Sequence, residues 1–553
     1  IYRIIRPGLS PQNQFNDAAL NHLGVRCSLS EEDIARIPKT GPLIVVANHP
    51  FGGLEGMVLA SVLRRARPDV KLLANYLLSR IPEMDETSIY VDPFGGADAQ
   101  RRNMGSMKEA LRWLKQGGAL GVFPAGEVSS LSLRERRVVD PPWSESVARL
   151  AQRSGATVVP LFFEGRNSAL FQLAGLAHPL LRTALLPREL LRLRRRTIPT
   201  RIGKPISPER IARFDDAREL TAYLRLRTYL LRRSPSRSVI RAPRKLAPIA
   251  TPENPAMIAT EIDALPADQT LTRHHEWVVL FASNRQAPTL VREIGRLREV
   301  CFRAVGEGSG RAADLDRFDA YYQHLVVWDS ANRSVVGAYR LGEVDEIVSR
   351  YGIKGLYTNT LFRFRPELIE QISPVLELGR SFVAPQYQRN FASLMLLWRG
   401  IGMYVTRKPK YRRLLGAVSI SNDYDSMTRK LLVAFMQANR NEPRFGGLLT
   451  PRNPVRAQMA PSDRALVALA ARDIADVDDL VAEIEHDKTM PVLLRQYLKL
   501  NGKMLAFNVD ESFGDALDGL VLIDLLDVDE PVLRRYMGEG HDAFIAFHRN
   551  RAR

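Results

Sequence analysis

The sequence has 553 residues, of which 45% are hydrophobic and 25% charged, and this balance excludes a disordered chain and predicts more than one folded domain. Its two cysteines exclude a disulfide framework, and the lack of a Cys/His cluster argues against a structural metal site, so we expect a cytoplasmic protein with no bound metal. The formal net charge of +18 predicts an anionic partner, which could be nucleic acid, anionic lipid or an acidic protein. The chain begins at Ile1, and we expect a further N-terminal segment.

Strands and helices alternate along roughly the first 230 residues, which predicts an α/β fold around a sheet. Short apolar runs are typical of buried strands, and amphipathic stretches are typical of helices. The predicted strands are 42–47, 70–73, 119–123 and 157–163, and the predicted helices are 57–65, 104–115 and 144–154.

Polar loops follow these strands, where α/β proteins place their chemistry. His49 follows the first strand and precedes two glycines, and Glu55 can return to its imidazole. A carboxylate that fixes one ring nitrogen leaves the other to take a proton from an alcohol. With no Gly-x-Ser-x-Gly elbow and no activated cysteine in view, we expect a substrate hydroxyl to attack an acyl donor directly. The alternative is that His49 is a structural loop residue.

Three segments resemble blocks of the glycerolipid acyltransferase family, also called the lysophosphatidic acid acyltransferase family. They are Asn48-His49 with Glu55, Phe123-Pro124-Ala125-Gly126-Glu127, and Val159-Pro160-Leu161. The resemblance covers about residues 20–230. It implies that His49 and Glu55 form the catalytic pair, and it makes Glu127 and Arg166 candidates for binding the acceptor.

Several positions depart from the family pattern. Leu54 stands where the first block has its acid, Ala125 where the third block has its glutamate, and the arginine of the second block is not evident. In that family the later blocks contact the phosphate of the acceptor. The departures therefore imply an acceptor other than glycerol phosphate.

An apolar segment precedes the most basic part of the chain. Residues 167–181 carry no charge but are too short to span a bilayer. Residues 182–245 hold 19 Lys/Arg against 5 Asp/Glu. We expect this region to lie on an anionic membrane, at the inner face of the cytoplasmic membrane; the alternative is a core helix followed by a basic surface helix. We expect no nucleic-acid partner, because no recognised motif and little aromatic interleaving accompany the charge.

Residues 234–269 contain six prolines and little hydrophobic periodicity, which predicts an extended linker. The predicted domains are therefore 1–233 and 270–553. In the second domain the predicted helices are 290–302, 391–405 and 427–438, and the predicted strands are 324–329, 335–341, 374–383 and 414–420. This order of elements resembles the GNAT-type acyltransferases.

The segment Glu377-Leu378-Gly379-Arg380-Ser381 resembles, more closely, the N-acyltransferases that make lyso-ornithine lipid, over about residues 275–540. The resemblance makes Glu377 a candidate catalytic residue that binds the acceptor ammonium or removes its proton through water. Arg380 and Arg389 are candidate substrate-binding residues. The alternative is a structural ion pair between Glu377 and Arg380.

The acyl donor is expected to be an acyl carrier protein, with CoA as the alternative. GNAT proteins hold the CoA pyrophosphate on a glycine-rich loop at a helix start. The corresponding loop, 388–393, has no glycine. A carrier protein has an acidic surface that Arg and Lys side chains can bind, so we expect no permanently bound cofactor and an acyl carrier protein as partner.

Together and in this order, the two parts resemble the bifunctional ornithine lipid synthases. The resemblance implies N-acylation of ornithine by a 3-hydroxyacyl group in the second domain, followed by O-acylation of the new 3-hydroxyl in the first. The sequence leaves lysine, glutamine and glycine open as acceptors. The competing function is a single lysophospholipid acyltransferase activity beside a non-catalytic, haemolysin-related GNAT-like domain.

Overall fold

The computed structural model describes residues 15–92, 97–232, 246–456, 458–485 and 488–551. The chain forms two compact units. The first takes Ile1–Ser236 and Met459–Lys488, and the second takes Arg237–Gln458 and Thr489–Arg553.

The first half of the chain alternates strands and helices. In chain order these are α1 (Phe15–Leu23), β1 (Arg26–Ser28), α2 (Glu31–Ala35), β2 (Leu43–Ala47), α3 (Gly53–Ala66), β3 (Val70–Asn75), β4 (Ser88–Val91), α4 (Ala97–Lys115), β5 (Ala119–Val122), β6 (Ser130–Ser132), β7 (Arg137–Val139), α5 (Ser146–Ser154), β8 (Thr157–Phe163), α6 (Ala169–Ala177), α7 (Pro179–Arg192), β9 (Thr197–Ile202), α8 (Pro208–Ile211) and α9 (Ala217–Leu230).

The second half continues the numbering. Its elements are α10 (Pro255–Asp263), β10 (Thr270–His274), β11 (Trp277–Ser283), α11 (Pro288–Ala304), β12 (Gln323–Asp329), β13 (Ser334–Glu343), α12 (Val344–Tyr351), β14 (Phe362–Phe364), α13 (Pro366–Ile372), β15 (Val375–Val383), α14 (Phe391–Arg407), β16 (Arg413–Ile420), α15 (Ser426–Asn439), β17 (Leu449–Pro451), α16 (Pro461–Ala470), α17 (Ile474–Ile484), α18 (Val492–Lys499), β18 (Lys503–Asp510), β19 (Ala516–Asp524), α19 (Glu530–Met537) and α20 (His541–Arg551).

A seven-stranded sheet, in the order β1-β9-β8-β2-β5-β3-β4, forms the centre of the first unit. Strands β2, β3, β4, β5 and β8 are parallel, whereas β9 is antiparallel to β8. All five residues of β2 are buried, as a continuous apolar run in a parallel sheet requires. Because β5, β2 and β8 are neighbours and parallel, the loops that follow them meet at one edge of the sheet.

The second unit contains an eight-stranded sheet in the order β10-β11-β12-β13-β15-β16-β19-β18. Its one parallel pair is β15 with β16, which are in register from Val375–Leu378 against Arg413–Gly416. Beyond that point β15 continues against β13 and β16 continues against β19. The two strands therefore separate after Leu378, and a cleft opens between them in the middle of the sheet.

The α/β fold class predicted from the sequence is confirmed in both units. The strands and helices predicted for the two domains form at the expected places, with ends that differ by a few residues. The largest differences are at two helix starts: α3 begins at Gly53 and α4 at Ala97, earlier than predicted.

The proline-rich stretch predicted to be an extended linker contains a helix in its described part, 246–269. Pro255 occupies the first turn of α10, where its missing N–H costs nothing. Ile258 is buried in the same hydrophobic cluster as Leu290 of α11. Glu261 accepts hydrogen bonds from the backbone N–H groups of Thr289 and Leu290, both at 2.9 Å. The proline-rich stretch therefore includes the start of a packed helix and is not extended throughout. Residues 234–245 of the predicted linker lie outside the described part.

Helices α16 and α17 come late in the sequence but belong to the first unit, an excursion that the predicted domain boundaries did not include. Buried ion pairs tie them to that unit. Glu483 of α17 pairs with Arg227 of α9, and both side chains are almost fully buried. Arg227 also donates to Tyr223, and Glu483 accepts from the backbone N–H of Lys204 at 2.8 Å.

Replacing Glu483 with Ala should destabilise the first unit by about 3–5 kcal/mol, because it leaves the Arg227 guanidinium buried without its carboxylate. Urea unfolding of the full chain, followed through the transition of the first unit, measures the change. Asp479→Ala is the matched control: its carboxylate pairs with Arg210 but is 47% exposed, so we expect a loss of at most about 1 kcal/mol. Equal losses in the two variants would contradict the prediction.

Candidate active sites

His49 and Glu55 form a tight pair at the edge of the first sheet. The histidine follows β2 and the glutamate lies in the first turn of α3. The distance from His49 Nδ1 to Glu55 Oε1 is 2.7 Å, and the Glu55 side chain is fully buried. Because a carboxylate accepts, Nδ1 carries the proton and Nε2 is the nitrogen that can act as a base.

Hydrogen-bond donors surround one oxygen of the buried Glu55 carboxylate. Its Oε1 accepts from the backbone N–H groups of Phe51 and Gly52, both at 2.8 Å, at the positive end of α3. Gly52 has φ of +109°, and a Cβ there would lie 2.8 Å from Leu186. The glycine is therefore required for the turn that brings the two N–H groups onto the carboxylate.

The loops after the three central strands are bonded to one another. Asn48 accepts from the backbone N–H of Phe163, at 2.7 Å, and donates to its carbonyl, at 2.9 Å. The His49 ring stacks on Phe123, with centroids 4.5 Å apart. These contacts join the ends of β2, β5 and β8 and hold the imidazole, 16% exposed, at the surface of the loop cluster.

Asp140 is a positioning residue that the sequence did not reveal. Its Oδ1 accepts from the backbone N–H of His49 at 3.2 Å and from the Ser129 hydroxyl, and its Oδ2 accepts from the Trp143 indole at 3.0 Å. The Ser129 N–H in turn donates to the His49 carbonyl, at 2.8 Å. Burial and the neighbouring Asp140 raise the pKa of Tyr229, whose oxygen accepts from the Asp140 N–H. The backbone on both sides of His49 is thus fixed by one buried acid.

The two candidate acceptor-binding residues of the first unit lie outside this pair. Glu127, in the loop after β5, is half exposed and pairs with Arg182 of α7 at 2.8 Å. Arg166 is exposed in the loop after β8, and its carbonyl accepts from Arg192. Both remain predictions as acceptor-binding residues. The Glu127–Arg182 pair also shows that α7 reaches the loops of the active site.

Glu377 lies on β15 and is 1% exposed. One of its oxygens accepts from the Tyr322 hydroxyl, and the other accepts from the backbone N–H of Thr358 at 2.6 Å. The alternative of a Glu377–Arg380 ion pair is wrong. Arg380 instead pairs with Asp314, at 3.4 Å, and Asp316, at 3.8 Å, so the Glu377 carboxylate is anchored to the segment that carries Tyr357 and Thr358.

Arg380 lies at the point where β15 leaves β16. Its φ of +51° belongs to the left-handed region, and the register with β13 shifts between Ala338 and Arg340, as in a β-bulge. Its guanidinium lies between the rings of Tyr357 and Phe513, 4.8 and 4.5 Å from their centroids. A strained backbone at this position aims a cation at the cleft and is typical of functional sites.

A pocket of about 820 Å³ opens beside Arg380. Its wall combines charged, polar and aromatic side chains. They come from Ser309, Arg311, Asp316, Phe318, Tyr357, Thr360, Leu361, Arg380, Arg452, Asn453, Asn508, Val509, Asp510, Glu511, Ser512 and Phe513. The volume and the mixture of charges suit a small ligand that carries both a positive and a negative group.

A buried charge network supports this wall from behind. Arg298 donates to Asp319 at 2.8 Å, and Arg340 donates to Asp319 and to Asp316. Although burial opposes ionisation, the two guanidinium groups hold the pKa of Asp319 well below its usual range. Burial and Arg298 lower the pKa of His324 to about 3, so this histidine stays neutral. The network fixes Asp316 at the pocket.

Arg389, the other candidate of the second unit, is exposed in the turn between β15 and α14. Asn390 caps α14 by accepting from the Ala392 N–H, and the Phe391 side chain is 86% exposed. The turn therefore presents a cation and an aromatic ring to solvent. Its role in substrate binding remains a prediction.

No group of three or more metal-ligating side chains occurs in the part of the chain that the structure describes. None of the helices formed by those residues has both the length and the apolar character needed to cross a bilayer.

Comparisons with known proteins match both halves of the chain to acyltransferases. Residues 2–237 match the family described as "Acyltransferase", and residues 297–399 match the "Acetyltransferase (GNAT) domain" family. The chain is similar to the "Glycine N(alpha)-acyltransferase" of Bacteroides thetaiotaomicron, 30% identical over 46% of this chain and 78% of the relative. It is also similar to the "Lyso-glycine lipid O-acyltransferase" of Phocaeicola vulgatus, 29% identical over 35% of this chain and 68% of the relative.

A third relative is the "L-ornithine N(alpha)-acyltransferase" of Brucella abortus, 33% identical over 23% of this chain and 54% of the relative. These findings confirm that the chain is an enzyme, an acyltransferase with an acyltransferase domain followed by a GNAT domain. The relatives include proteins named for acyl transfer to nitrogen and a protein named for acyl transfer to oxygen.

Proposed function

This chain belongs to the family of the glycine N(alpha)-acyltransferase to which it is similar, and from that premise we propose that it makes a diacylated aminolipid in two steps. In the first step the second unit transfers a 3-hydroxyacyl group to the α-amine of ornithine. In the second step the first unit esterifies the new 3-hydroxyl with another acyl chain. The observation that carries the proposal is that one chain contains both a His49–Glu55 pair, in its first unit, and a pocket in its GNAT unit.

The first unit supplies a base for the hydroxyl. His49 Nε2 takes the proton of the lyso-lipid 3-hydroxyl as its oxygen attacks the thioester carbonyl, and the thiolate of the donor leaves. Glu55 stabilises the imidazolium formed in this step through the 2.7 Å hydrogen bond. In the third block Ala125 stands where the related family has a glutamate, and Glu127 is paired with Arg182. These differences support an acceptor other than glycerol phosphate.

The second unit supplies a pocket and a cleft. The thioester arm of the donor enters between the separating strands β15 and β16, and the amino acid occupies the pocket beside Arg380. The α-amine attacks the thioester carbonyl, an amide bond forms, and the free thiol and a proton leave. Glu377 is the candidate acceptor of that proton.

Expression in a bacterial host without aminolipids tests the two steps. Lipids are extracted and analysed by mass spectrometry. The proposal expects a lipid that carries one amide-linked and one ester-linked acyl chain on ornithine. If the host accumulates new lysophospholipid acylation products and no acylated amino acid, the single-activity alternative replaces the proposal.

We propose an acyl carrier protein as the donor for the second unit. The exposed Arg389 and Phe391 at the start of α14 support this, since carrier proteins present acidic surfaces with apolar contacts. The glycine-free turn offers CoA a poorer pyrophosphate cradle. The proposal expects a higher kcat/KM for the acyl carrier protein thioester than for the CoA thioester of the same acyl chain.

We also propose that helices α6 and α7 lie on an anionic membrane. Their leucines point outward to an unusual degree: Leu170, Leu173, Leu176, Leu181 and Leu191 are each 46–61% exposed. Exposed arginines lie in α7 and in the residues that follow it, so these two helices present both apolar and cationic side chains to solvent. α7 also contacts the active-site loops through Arg182 and Leu186. An amphiphilic lyso-lipid can therefore pass from the bilayer to His49.

Replacing Arg188, Arg194 and Arg196 with Glu should weaken binding to anionic vesicles by at least about 100-fold, because each cation near an anionic leaflet contributes about 1 kcal/mol. Vesicle flotation at low and high salt measures the binding, and the difference in binding between wild type and the triple variant should shrink as the salt concentration rises. The control with the same charge change, Lys115, Arg149 and Arg153 to Glu, alters exposed residues of α4 and α5. If flotation is unchanged and N-acylation stops, the basic surface docks the carrier protein instead.

A further inference from the structure

A second set of carboxylates lies at the pocket of the second unit. Asp510, at the end of β18, lines the pocket. Asp518 lies on β19 and Glu307 in the loop after α11, and each is only 6% exposed. None of the three has a role in the acyl transfer described above.

The sheet register shows that these acids face the pocket. Asp518 is opposite Asn508 on β18 and opposite Ser419 on β16. Side chains of directly opposite residues project from the same face of a sheet, and Asn508 lines the pocket. The Ser419 hydroxyl donates to Glu307 Oε2 at 2.8 Å, so Glu307 and Asp518 meet on the pocket side.

These acids lack a compensating cation of their own. Among the described residues, Asp518 Oδ2 is buried without a hydrogen-bond partner. Arg380 is the guanidinium that acts on both Asp518 and Glu307, and it is already shared with Asp314 and Asp316. Burying carboxylates in this way is costly unless a positive group joins them.

The titration of Asp518 and Glu307 agrees with a site that binds a cation. Burial first, and then Asp510 and Glu307, raise the pKa of Asp518 far above its usual range. Burial, and to a smaller degree Asp423 and Asp510, raise the pKa of Glu307 to about 7, against the Ser419 hydrogen bond. Near neutral pH Asp518 and Glu307 therefore hold protons that an incoming cation would displace.

We propose that Glu307, Asp510 and Asp518 bind the distal ammonium of a dibasic amino acid, ornithine or lysine. The inference rests on the proposed N-acylation and names the class of its acceptor. An ammonium has three N–H donors, which match three carboxylates, and glycine has no group to place there. Arg380, Arg311 and Arg452 in the same wall supply cations for the α-carboxylate, which leaves the α-amine to face the cleft between β15 and β16.

The experiment compares ornithine with norvaline, which has the same carbon chain without the distal amine. The purified full chain is assayed for N-acylation of each amino acid. A charge-assisted hydrogen bond contributes enough to expect wild-type kcat/KM for ornithine to exceed that for norvaline by about 10- to 150-fold. In Asp518→Asn the ratio should fall towards one through a higher KM for ornithine, while norvaline is used as before.

Glu307→Gln is the second variant, and it should move the ratio in the same direction if Asp518→Asn folds poorly. Glu530→Gln is the control, because this carboxylate is exposed on α19 and pairs with Arg534; its ratio should stay at the wild-type value. An unchanged ratio in both folded pocket variants would overturn the subsite.

Calorimetry separates failure of the subsite from failure of the proposed function. If the wild-type protein acylates neither amino acid, the proposed N-acylation is contradicted. The calorimetric binding of ornithine then tests the ammonium subsite independently of activity. The subsite is supported if wild type binds ornithine with release of protons near pH 7 and Asp518→Asn does not bind it. Ornithine binding that is absent in wild type, or equal in wild type and both variants, overturns it.

Discussion

His49→Ala should stop O-acylation while N-acylation continues, so that a mono-acylated aminolipid accumulates. The imidazole is the one base that the loop cluster of the first unit presents next to a buried carboxylate. General-base catalysis contributes about 10²–10⁴-fold, and an alanine at this position leaves no group to take the hydroxyl proton. Mass spectrometry of lipids from the expressing host gives the ratio of mono-acylated to diacylated product.

Glu55→Gln refines this result. The amide can still accept the hydrogen bond from Nδ1–H, but it carries no charge to stabilise the imidazolium. Esterification should therefore slow by about 10²–10⁴-fold, with the fold retained. Glu109→Gln is the matched control, because its carboxylate is half exposed on α4 and pairs with Lys71 outside the His49–Glu55 hydrogen bond. Wild-type amounts of diacylated product in His49→Ala would remove the catalytic assignment.

The first candidate site could be predicted because its parts are close in the sequence. His49 and Glu55 are six positions apart, and the predicted strand and the glycine turn that follows it bring the chain back on itself. Asp140 could not be predicted. It lies in an irregular stretch 91 positions from His49, and an isolated aspartate has no local pattern that indicates which backbone N–H it will accept.

In the second site the alternative interpretation, a Glu377–Arg380 ion pair, is wrong. The two residues are three positions apart, and an ideal strand places such residues on opposite faces, so strand geometry by itself disfavours the pair. The partners of Arg380 are Asp314 and Asp316, and its backbone lies at a bulge. No feature of the sequence marks the bulge, since the left-handed residue is an arginine and not a glycine.

Long-range burial explains the differences in domain organisation. The apolar face of α10, with Ile258 against Leu290, outweighs the prolines around it. The Arg227–Glu483 pair joins residues 256 positions apart. Periodicity predicted neither contact, because it identifies an element's apolar face but not the element that covers it.

Glu377→Ala should lower N-acylation by about 10²–10⁴-fold, while O-acylation of added lyso-lipid continues. The buried carboxylate accepts from Tyr322 and from the Thr358 N–H, next to Tyr357 in the pocket wall. It is thus a proton acceptor linked to the pocket wall through the Tyr322 hydroxyl, which accepts from the Tyr357 N–H at 2.9 Å. Single-turnover N-acylation of ornithine by the purified full chain measures the loss, and the thermal midpoint of the second unit reports whether the variant is folded.

Glu377→Gln and Tyr322→Phe decide how the carboxylate acts. A glutamine keeps the shape and can still accept from the Thr358 N–H, but it cannot take a proton. If Glu377 removes the proton of the α-amine, Gln should lose as much activity as Ala, and Tyr322→Phe should lose activity without a change in the KM for ornithine. If Gln instead retains most of the wild-type rate across the pH range, the carboxylate only holds Thr358 and Tyr357 in place, and the proton must leave through water in the pocket beside Arg380.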